Sequence, residues 1–563
     1  MGLGLPASRV LCSRGLRDPA AALAFLKPTL EHLHDPQQLR GLPEAIDRLL
    51  TAIHRREPIL IYGDYDVDGA TSVVILKKAI ELAGGSARFH VPHRLHDGYG
   101  MRPEIVEVAA AEGVRLIISA DTGIRAAAVV RRANELGIDV IITDHHLPES
   151  EIPAAIAVLN PNQPGCGYPD KNLCGVGVAF KLVQALFARM NWDEEKRRRI
   201  IESFLKLVAI GTVADVVPLL GENRVIVKHG LSGLRSIRNH GLRALLEVAG
   251  FGGERLPSAT EIAFRIAPRV NAAGRMDTAN AAIELFLTND PVRARELAEQ
   301  LHAWNRERQQ VEAQVIAAII EECSRSPFDE NRRALVFAGP GWHKGVLGIV
   351  AGRLAEKFHR PVFVLTSDPE TGIAQGSGRS IPCFHLLEAL EAMPELFLKF
   401  GGHRHAAGLT LSTDRIESFR ERLNSFASAR LTPRDLVPQL ELDAMVELQE
   451  LNDQNAAELL DLAPFGCGNP VPLLAACDVE IVGPPVVWRE KHVRMLVRQN
   501  GRTLALKGWN LADRVNDFAA GTRVDVAFSL EEDPYSAARG FPEWTIVLRD
   551  LRPAGEAREA IAW

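Results

Sequence analysis

Cysteine is scarce and unpatterned: seven occur in 563 residues, with no Cys-x-x-Cys pair among them. That excludes a zinc ribbon and a disulfide framework, fits a reducing compartment, and gives a cytoplasmic location as the expectation. No apolar run reaches the roughly 18 residues that a membrane-crossing helix needs, so no membrane span is read. Arg9, Arg14 and Arg17 stand near the start without an apolar stretch behind them, so no secretory leader is read either. A strong charge of one sign is also missing. The net charge is −6, and any polyanion must therefore be met by local basic surfaces. What remains is an ordinary globular composition, 47% hydrophobic and 24% charged, in a chain long enough for several domains.

The most informative stretch is Ile59 to Gly69. Ile59, Leu60 and Ile61 signal a short buried strand, which Gly63 ends. Asp64, Asp66 and Asp68 follow at alternate positions, and Gly69 leads into a helical run expected over 71–82. Three carboxylates crowded on one turn repel one another, and a divalent cation relieves that repulsion. An EF-hand loop is excluded, because its twelfth position, where a Glu must stand, is Ile75. A solvated acidic turn is the plainer alternative.

Strands are expected at 59–62, 87–91, 115–119, 139–143 and 156–159, with helices at 71–82, 103–112, 124–136 and 175–190. Continuous apolar strands alternating with helices predict a doubly wound, parallel α/β domain. Polar clusters follow the strand ends. Asp121 comes after Ile117-Ile118-Ser119-Ala120, and Asp144, His145 and His146 come after Val140-Ile141-Ile142-Thr143. Open α/β sheets bind ligands at those ends. Asp215, in Gly-Thr-Val-Ala-Asp, is a further candidate, although a lone Asp there is more often a cap. Taken alone, His145-His146 reads as an exposed loop pair. Imidazole among several carboxylates suits Mn2+, with Mg2+ as the weaker substitute. The donors exceed what one open ion uses, so two ions are expected, about 3.5–4 Å apart.

Asp144-His145-His146 resembles the signature of the DHH phosphoesterase superfamily. Gly63 to Gly69, Ser119-Ala120-Asp121-Thr122-Gly123 and Gly211-Thr212-Val213-Ala214-Asp215 are similar to its other motifs. More narrowly, the chain resembles the RecJ family of single-strand-specific DNA exonucleases. His96-Asp97-Gly98-Tyr99-Gly100, Leu173 to Lys181 and Pro268 to Arg275 carry that likeness, which spans nearly the whole chain. The resemblance implies Asp66, Asp68, Asp121, His145 and Asp215 as metal ligands, with Asp121 bridging. It implies His146 on the phosphate and Asp144 orienting its neighbours. Several relatives carry a His where this chain has Tyr62, and Asp64 is the candidate to take over that coordination.

Further on, Leu297, Leu301, Trp304, Val311, Val315 and Ile319 recur at helical spacing behind Asp290-Pro291. They predict a bridging helix about 50 Å long, with Trp304 as a packing residue. A second α/β unit follows. It holds two polar segments read as glycine-rich turns, Gly376-Ser377-Gly378-Arg379-Ser380 and Gly401 to Gly408. By resemblance this is a DHHA1 domain that binds the nucleic-acid backbone and 5′ phosphate through Ser377, Arg379 and His403, assisted by Arg269 and Arg275. The last segment reads as five short strands, an OB-fold barrel. There Trp488 and Lys491, with Arg489, His492, Arg494, Lys507 and Trp509, mix aromatic and basic groups as single-strand grooves do. The chain stops at Trp563, so a longer partner-binding tail is expected to be absent.

These signals divide the chain into a lead-in (1–45), a DHH domain (46–280), a connecting helix (281–330), a DHHA1 domain (331–432) and an OB-fold (433–563). The resemblance implies a monomeric 5′-to-3′ exonuclease in DNA recombination and repair. It would hydrolyse single-stranded DNA and release 5′ mononucleotides; no Lys or Tyr nucleophile is needed, so no covalent intermediate is expected. A helicase and a single-strand-binding protein are its implied partners. Two rivals stand beside it: a short-oligonucleotide or cyclic-dinucleotide phosphodiesterase of the same superfamily, and a non-catalytic DNA-binding replication scaffold.

Overall fold

Five parallel strands form the first sheet: β1 (Ile59–Gly63), β2 (Ala87–His90), β3 (Leu116–Ala120), β4 (Asp139–Thr143) and β5 (Ala157–Leu159). The computed structural model describes residues 2–94, 98, 100–252, 255–325, 329, 331–515, 518–533 and 542–555. Of the motif His96 to Gly100, residues 96, 97 and 99 lie outside that range. The strand order is β2-β1-β3-β4-β5, so chain direction across the sheet reverses between β1 and β3. Successive side chains alternate between faces. Ile59, Ile61, Ile118 and Ile141 join one core with the helices Leu42–Arg55, Val67–Leu82 and Gly175–Ala188. Leu60, Tyr62, Ile117, Val140 and Ile142 join another with the helices Pro103–Ala111 and Ala127–Glu135. Both faces are covered, as continuous apolar strands require.

One helix starts earlier than its sequence suggests. It begins at Val67 rather than Thr71, because Asp66 is its N-cap and accepts from the Gly69 N–H at 3.0 Å. The acidic triplet is therefore not a free turn. Asp64 follows β1, Asp66 caps the helix, and Asp68 lies in its first turn.

The bridging helix runs Pro291–Arg325, 35 residues, and is shared between two cores. Leu297 and Leu301 pack in the first, with Trp304 against it, while Val315 and Ile319 pack in the second. Between them its buried face turns polar. Arg308 pairs with Glu312 at 2.7 Å, and Arg353 reaches the same carboxylate at 2.5 Å.

The second sheet holds β6 (Leu335–Pro340), β7 (Val362–Asp368), β8 (Ile373–Arg379), β9 (Phe397–Gly402) and β10 (Ala406–Ser412), in the order β6-β7-β8-β10-β9. Here the sequence reading needs correction. The first glycine-rich segment is mostly strand β8, and the second is two strands around a short turn at 403–405. The glycines make room for neighbours: a Cβ at Gly378 would lie 2.5 Å from the Phe363 ring, and one at Gly376 2.1 Å from Leu365.

The C-terminal strands are β11 (Ala444–Met445), β12 (Leu474–Ile481), β13 (Val486–Trp488), β14 (His492–Gln499), β15 (Arg502–Gly508), β16 (Arg523–Glu532) and β17 (Trp544–Pro553). Pairing of β12 with both β16 and β14 closes the ring β12-β16-β17-β15-β14, with β15 and β17 parallel. This is the five-stranded barrel expected of an OB-fold. The expected N-terminal lead-in does not stand apart from it. Ala7, Val10, Leu11, Ala22 and Phe25, on the helices Leu5–Ser13 and Pro19–Leu26, lie in the barrel's own core.

Candidate metal centre and nucleic-acid cleft

The acidic residues meet at the carboxyl ends of β1, β3 and β4, at the reversal in strand order. Asp121, just beyond β3, takes the left-handed backbone conformation at φ 62°. A Cβ on Gly175 would come within 2.5 Å of its carboxylate, so the helix Gly175–Ala188 approaches as closely as glycine permits. That helix also presents its N-terminus to the site. The Gly175 and Val176 N–H groups donate to Asp68 at 2.6 and 2.7 Å, the favoured arrangement of a carboxylate at a helix start. Asp215 is the C-cap of the helix Glu194–Ala214, and its seat beside the other acids depends on Gly211, where a Cβ would strike Thr71 and Val176.

His145 Nε2 lies 3.3 Å from Asp121, 3.6 Å from Asp215 and 3.9 Å from Asp68. These are not ion pairs. Burial first, then His146, holds the His145 imidazole down to about 4, so it is neutral near pH 7. Burial, then the charge of Asp66, pushes Asp68 up to about 7. Burial, then Asp68, pushes Asp215 up to about 9. Asp64 and Asp121 are raised too, by burial and then by Asp66 and Asp68 respectively. Asp64 Oδ1, Asp121 Oδ1, His145 Nε2 and Asp215 Oδ2 are all buried and make no hydrogen bond. Four such atoms in one pocket is a cost that a protein does not carry without a ligand.

Three overlapping donor groups emerge: Asp64, Asp66 and Asp121; Asp68, His145 and Asp215; and Asp121, His145 and His146. Within each, the ligating atoms lie within 4.8 Å of one another. Oxygen donors with one or two imidazoles fit Mn2+, and the purely carboxylate group fits Mg2+. Tyr62 is not among these metal-donor groups. It is buried in the sheet, and its hydroxyl donates to Gly100 O at 3.3 Å, whereas Asp64 Oδ1 faces the cluster's other acids unpaired.

Asp144 stands behind this set. It accepts from Ile124 N–H at 2.9 Å, from the His145 and His146 N–H groups, and bonds His146 Nδ1 at 2.7 Å. Burial alone would raise it, but the His146 bond and charge together with the Ile124 and His146 N–H bonds lower it. Burial alone would lower His146, but the Asp144 bond together with the charges of Asp144, Asp68 and Asp64 raises it. Asn160 and Asn162 hold the two histidine carbonyls from behind, at 2.9 and 2.8 Å.

A cavity of about 500 Å³ opens beside His146, lined also by Thr122, Arg125, Asp144 and, from the second domain, His403. Close to Asp64 and Asp66 lies a group of arginines. Burial first, then Arg94, Arg308 and Arg379, hold the Arg275 guanidinium down to about 9. Arg379 is lowered by burial and by Arg94, and its Nη1 donates to Ser377 Oγ at 3.0 Å. Arg94 lies 4.8 Å over the Tyr65 ring. Cations gathered this way call for an anion.

Not every expected residue joins the site. Arg269 donates to His302 Nδ1 on the long helix and to Arg265 O. Trp488 and Lys491 lie on the β13–β14 hairpin of the barrel, where the Trp488, His492 and Trp509 rings meet tilted or edge-on with centroids 5.0–5.7 Å apart. Arg94, Arg125, Arg308 and Asn271 were not singled out by sequence. Asn271 accepts from the Val67 N–H at 3.2 Å. Only its place in the Pro268 to Arg275 motif could have pointed to it.

Residues 58–212 match the DHH family N-terminal domain, 331–429 the DHHA1 domain and 442–541 the RecJ OB domain. Over 517 residues the chain is 38% identical to the single-stranded-DNA-specific exonuclease RecJ of Escherichia coli K12, covering 89% of this chain and 88% of that protein. The chain belongs to the RecJ family. It is also 38% identical over 518 residues to the RecJ exonuclease of Bacillus subtilis 168, covering 92% of this chain but spanning only 64% of that relative's length. The crystal structure of Thermus thermophilus RecJ in complex with Mn2+ matches with a TM-score of 0.83 at 32% identity, over 100% of this chain and 78% of that one. Among the described residues of this RecJ-family chain, no helix is long and apolar enough to cross a membrane.

Proposed function

We propose that the chain is a single-stranded-DNA-specific 5′-to-3′ exonuclease that uses two divalent cations, Mn2+ or Mg2+, and releases 5′ mononucleotides during DNA recombination and repair. One observation carries the reading: four buried, unbonded donor atoms from Asp64, Asp121, His145 and Asp215 converge on one pocket. The RecJ relatives that it matches are named single-stranded-DNA-specific exonucleases, and the Thermus protein was crystallised with Mn2+.

Asp64, Asp66 and Asp121 would hold one cation, and Asp68, His145 and Asp215 the other, with Asp121 placed to serve both. When bound, the ions supply Lewis acidity toward the scissile phosphate and an acidified water as nucleophile. The chain's own groups do the rest. Asp144 fixes the His146 ring, which contacts the phosphate as a donor. Arg275, Arg379 and Ser377 receive the terminal 5′ phosphate, and this sets polarity, because the strand end must stop at a fixed distance from the acids. The cleft between the two α/β domains admits one strand, and Trp488 and Lys491 on the barrel hold the trailing strand by stacking and charge. Such an enzyme works in the cytoplasm as a monomer. It needs its duplex opened by a helicase and shares its substrate with single-strand-binding protein.

The test compares Mn2+-dependent release of mononucleotides from 5′-phosphorylated single strands, 5′-hydroxyl strands and blunt duplex. The single strand with a 5′ phosphate is degraded fastest and the duplex is spared. Asp121→Ala abolishes release, and equal degradation by that variant and the wild type refutes the site.

A further inference from the structure

Asp215 completes the acidic cluster, yet the backbone carrying it is strained. The next residue, Val216, sits at φ 61°. A β-branched side chain in the left-handed region persists only where its surroundings enforce it. Val216 does not enforce it itself, being 68% exposed. The enforcing contacts come just after it. Leu219 is buried, and its N–H donates to Cys467 O at 2.8 Å.

Cys467 lies in the turn 464–470, which belongs to the C-terminal module. The approach leaves no spare room. A Cβ at Gly466 would come 2.7 Å from Leu219 Cδ1, and one at Gly468 2.9 Å from Pro218 Cβ. The turn is fastened from its own side. Asn469 Nδ2 donates to Leu462 O at 3.0 Å and Pro464 O at 2.8 Å, and Arg14 Nη1 donates to Asn469 Oδ1 at 2.5 Å. It is fastened from the other side as well. Arg224, on the helix Gly221–Gly233 that follows the strained segment, donates to Leu462 O and Ala463 O at 2.9 Å and to Phe25 O at 2.6 Å.

We infer that the turn 464–470 braces the metal centre: it holds Val216 to Leu219 in place and so orients Asp215. The C-terminal module, with the N-terminal helices in its core, thereby sets the cation affinity of a site in another domain. The inference rests on the reading of Asp215 as a cation ligand. Gly466, Leu219 and Val216 are positioning residues that act through Asp215. If the segment relaxes, the carboxylate that now lies 3.6 Å from His145 Nε2 swings out of the donor group.

The experiment measures Mn2+ affinity of the full chain by electron paramagnetic resonance, with no DNA present. Gly466→Ala, which drives a methyl into Leu219, is expected to weaken Mn2+ binding about tenfold. Arg498→Gln, which removes an exposed pair with Glu480 on the same module, leaves affinity unchanged. In a Val216→Gly background the strain is gone, and the effect of Gly466→Ala shrinks to less than about twofold. Wild-type affinity in Gly466→Ala overturns the brace, as does a loss that persists undiminished in the Val216→Gly background. Should Gly466→Ala fail to fold, Leu219→Val tests the same contact: weaker binding supports the brace and unchanged binding overturns it. Mn2+ binding by the wild type, and its loss in Asp215→Asn, tests the site reading separately, so failure of the brace is distinguishable from absence of the site.

Discussion

At the scale of single residues, Asp144 is a carboxylate with every bond committed inward, to two histidine N–H groups, the Ile124 N–H and the His146 ring. Asp144→Asn keeps the shape but loses the charge that orients His146. We expect a 10–100-fold loss of activity, about the usual cost of removing an outer partner of a metal site, measured as kcat at saturating Mn2+. The raised carboxylates make a second prediction. Asp68, near 7, and Asp215, near 9, are protonated in the folded, metal-free chain at pH values where the unfolded chain has already released those protons. Their contribution to stability is therefore full below the ordinary carboxylate range near pH 4 and is lost as pH rises through 7 and then 9. The Tm of the metal-free protein should fall from pH 5 to pH 9, and Mn2+ should restore it most at the alkaline end, in scanning calorimetry. A metal-free Tm that rises across that range contradicts the assignment. Most of the acids were legible because they follow apolar strands; Asp215, the C-cap of a helix, was legible only beside the others. The amides of Gly175 and Val176 that hold Asp68 were not, since a backbone donor leaves no mark in composition.

At the scale of elements, the sheet was readable almost residue by residue, because buried parallel strands are written as unbroken apolar runs. The start of the helix at Val67 was not, since an Asp suspected as a ligand is also a good N-cap, and both uses look alike in sequence. The glycines of β8 misled for a similar reason: a glycine that admits the Phe363 ring is indistinguishable from one that makes a turn. The bridging helix carries a further prediction. Arg308 and Glu312 are both buried, between its two apolar halves. Glu312→Ala leaves the Arg308 guanidinium buried without its carboxylate, which costs about 3–5 kcal/mol. Urea unfolding should show that loss. A change below about 1 kcal/mol would mean that the pair is not holding the helix between the domains.

At the scale of the whole molecule, the first 26 residues belong with the last hundred or so. No local signal could announce this, because Val10 and Leu11 meet their barrel partners only after more than 430 residues of intervening chain. Deleting residues 1–26 strips Val10, Leu11 and Phe25 from the barrel core, each worth about 1.5–3 kcal/mol of buried apolar surface. The truncated chain should show a separate, lower-temperature unfolding transition for the barrel in calorimetry, and an unchanged profile would contradict the shared core. The two α/β domains and the helix that spans them bring one arrangement together, a cluster of acids with Arg94, Arg275, Arg308 and Arg379 grouped beside it. The most direct test of that arrangement is anomalous diffraction at the manganese edge from Mn2+-soaked crystals. Two peaks are expected, one among Asp64, Asp66 and Asp121 and one among Asp68, His145 and Asp215. No peak there, or manganese bound only elsewhere on the molecule, would contradict that arrangement.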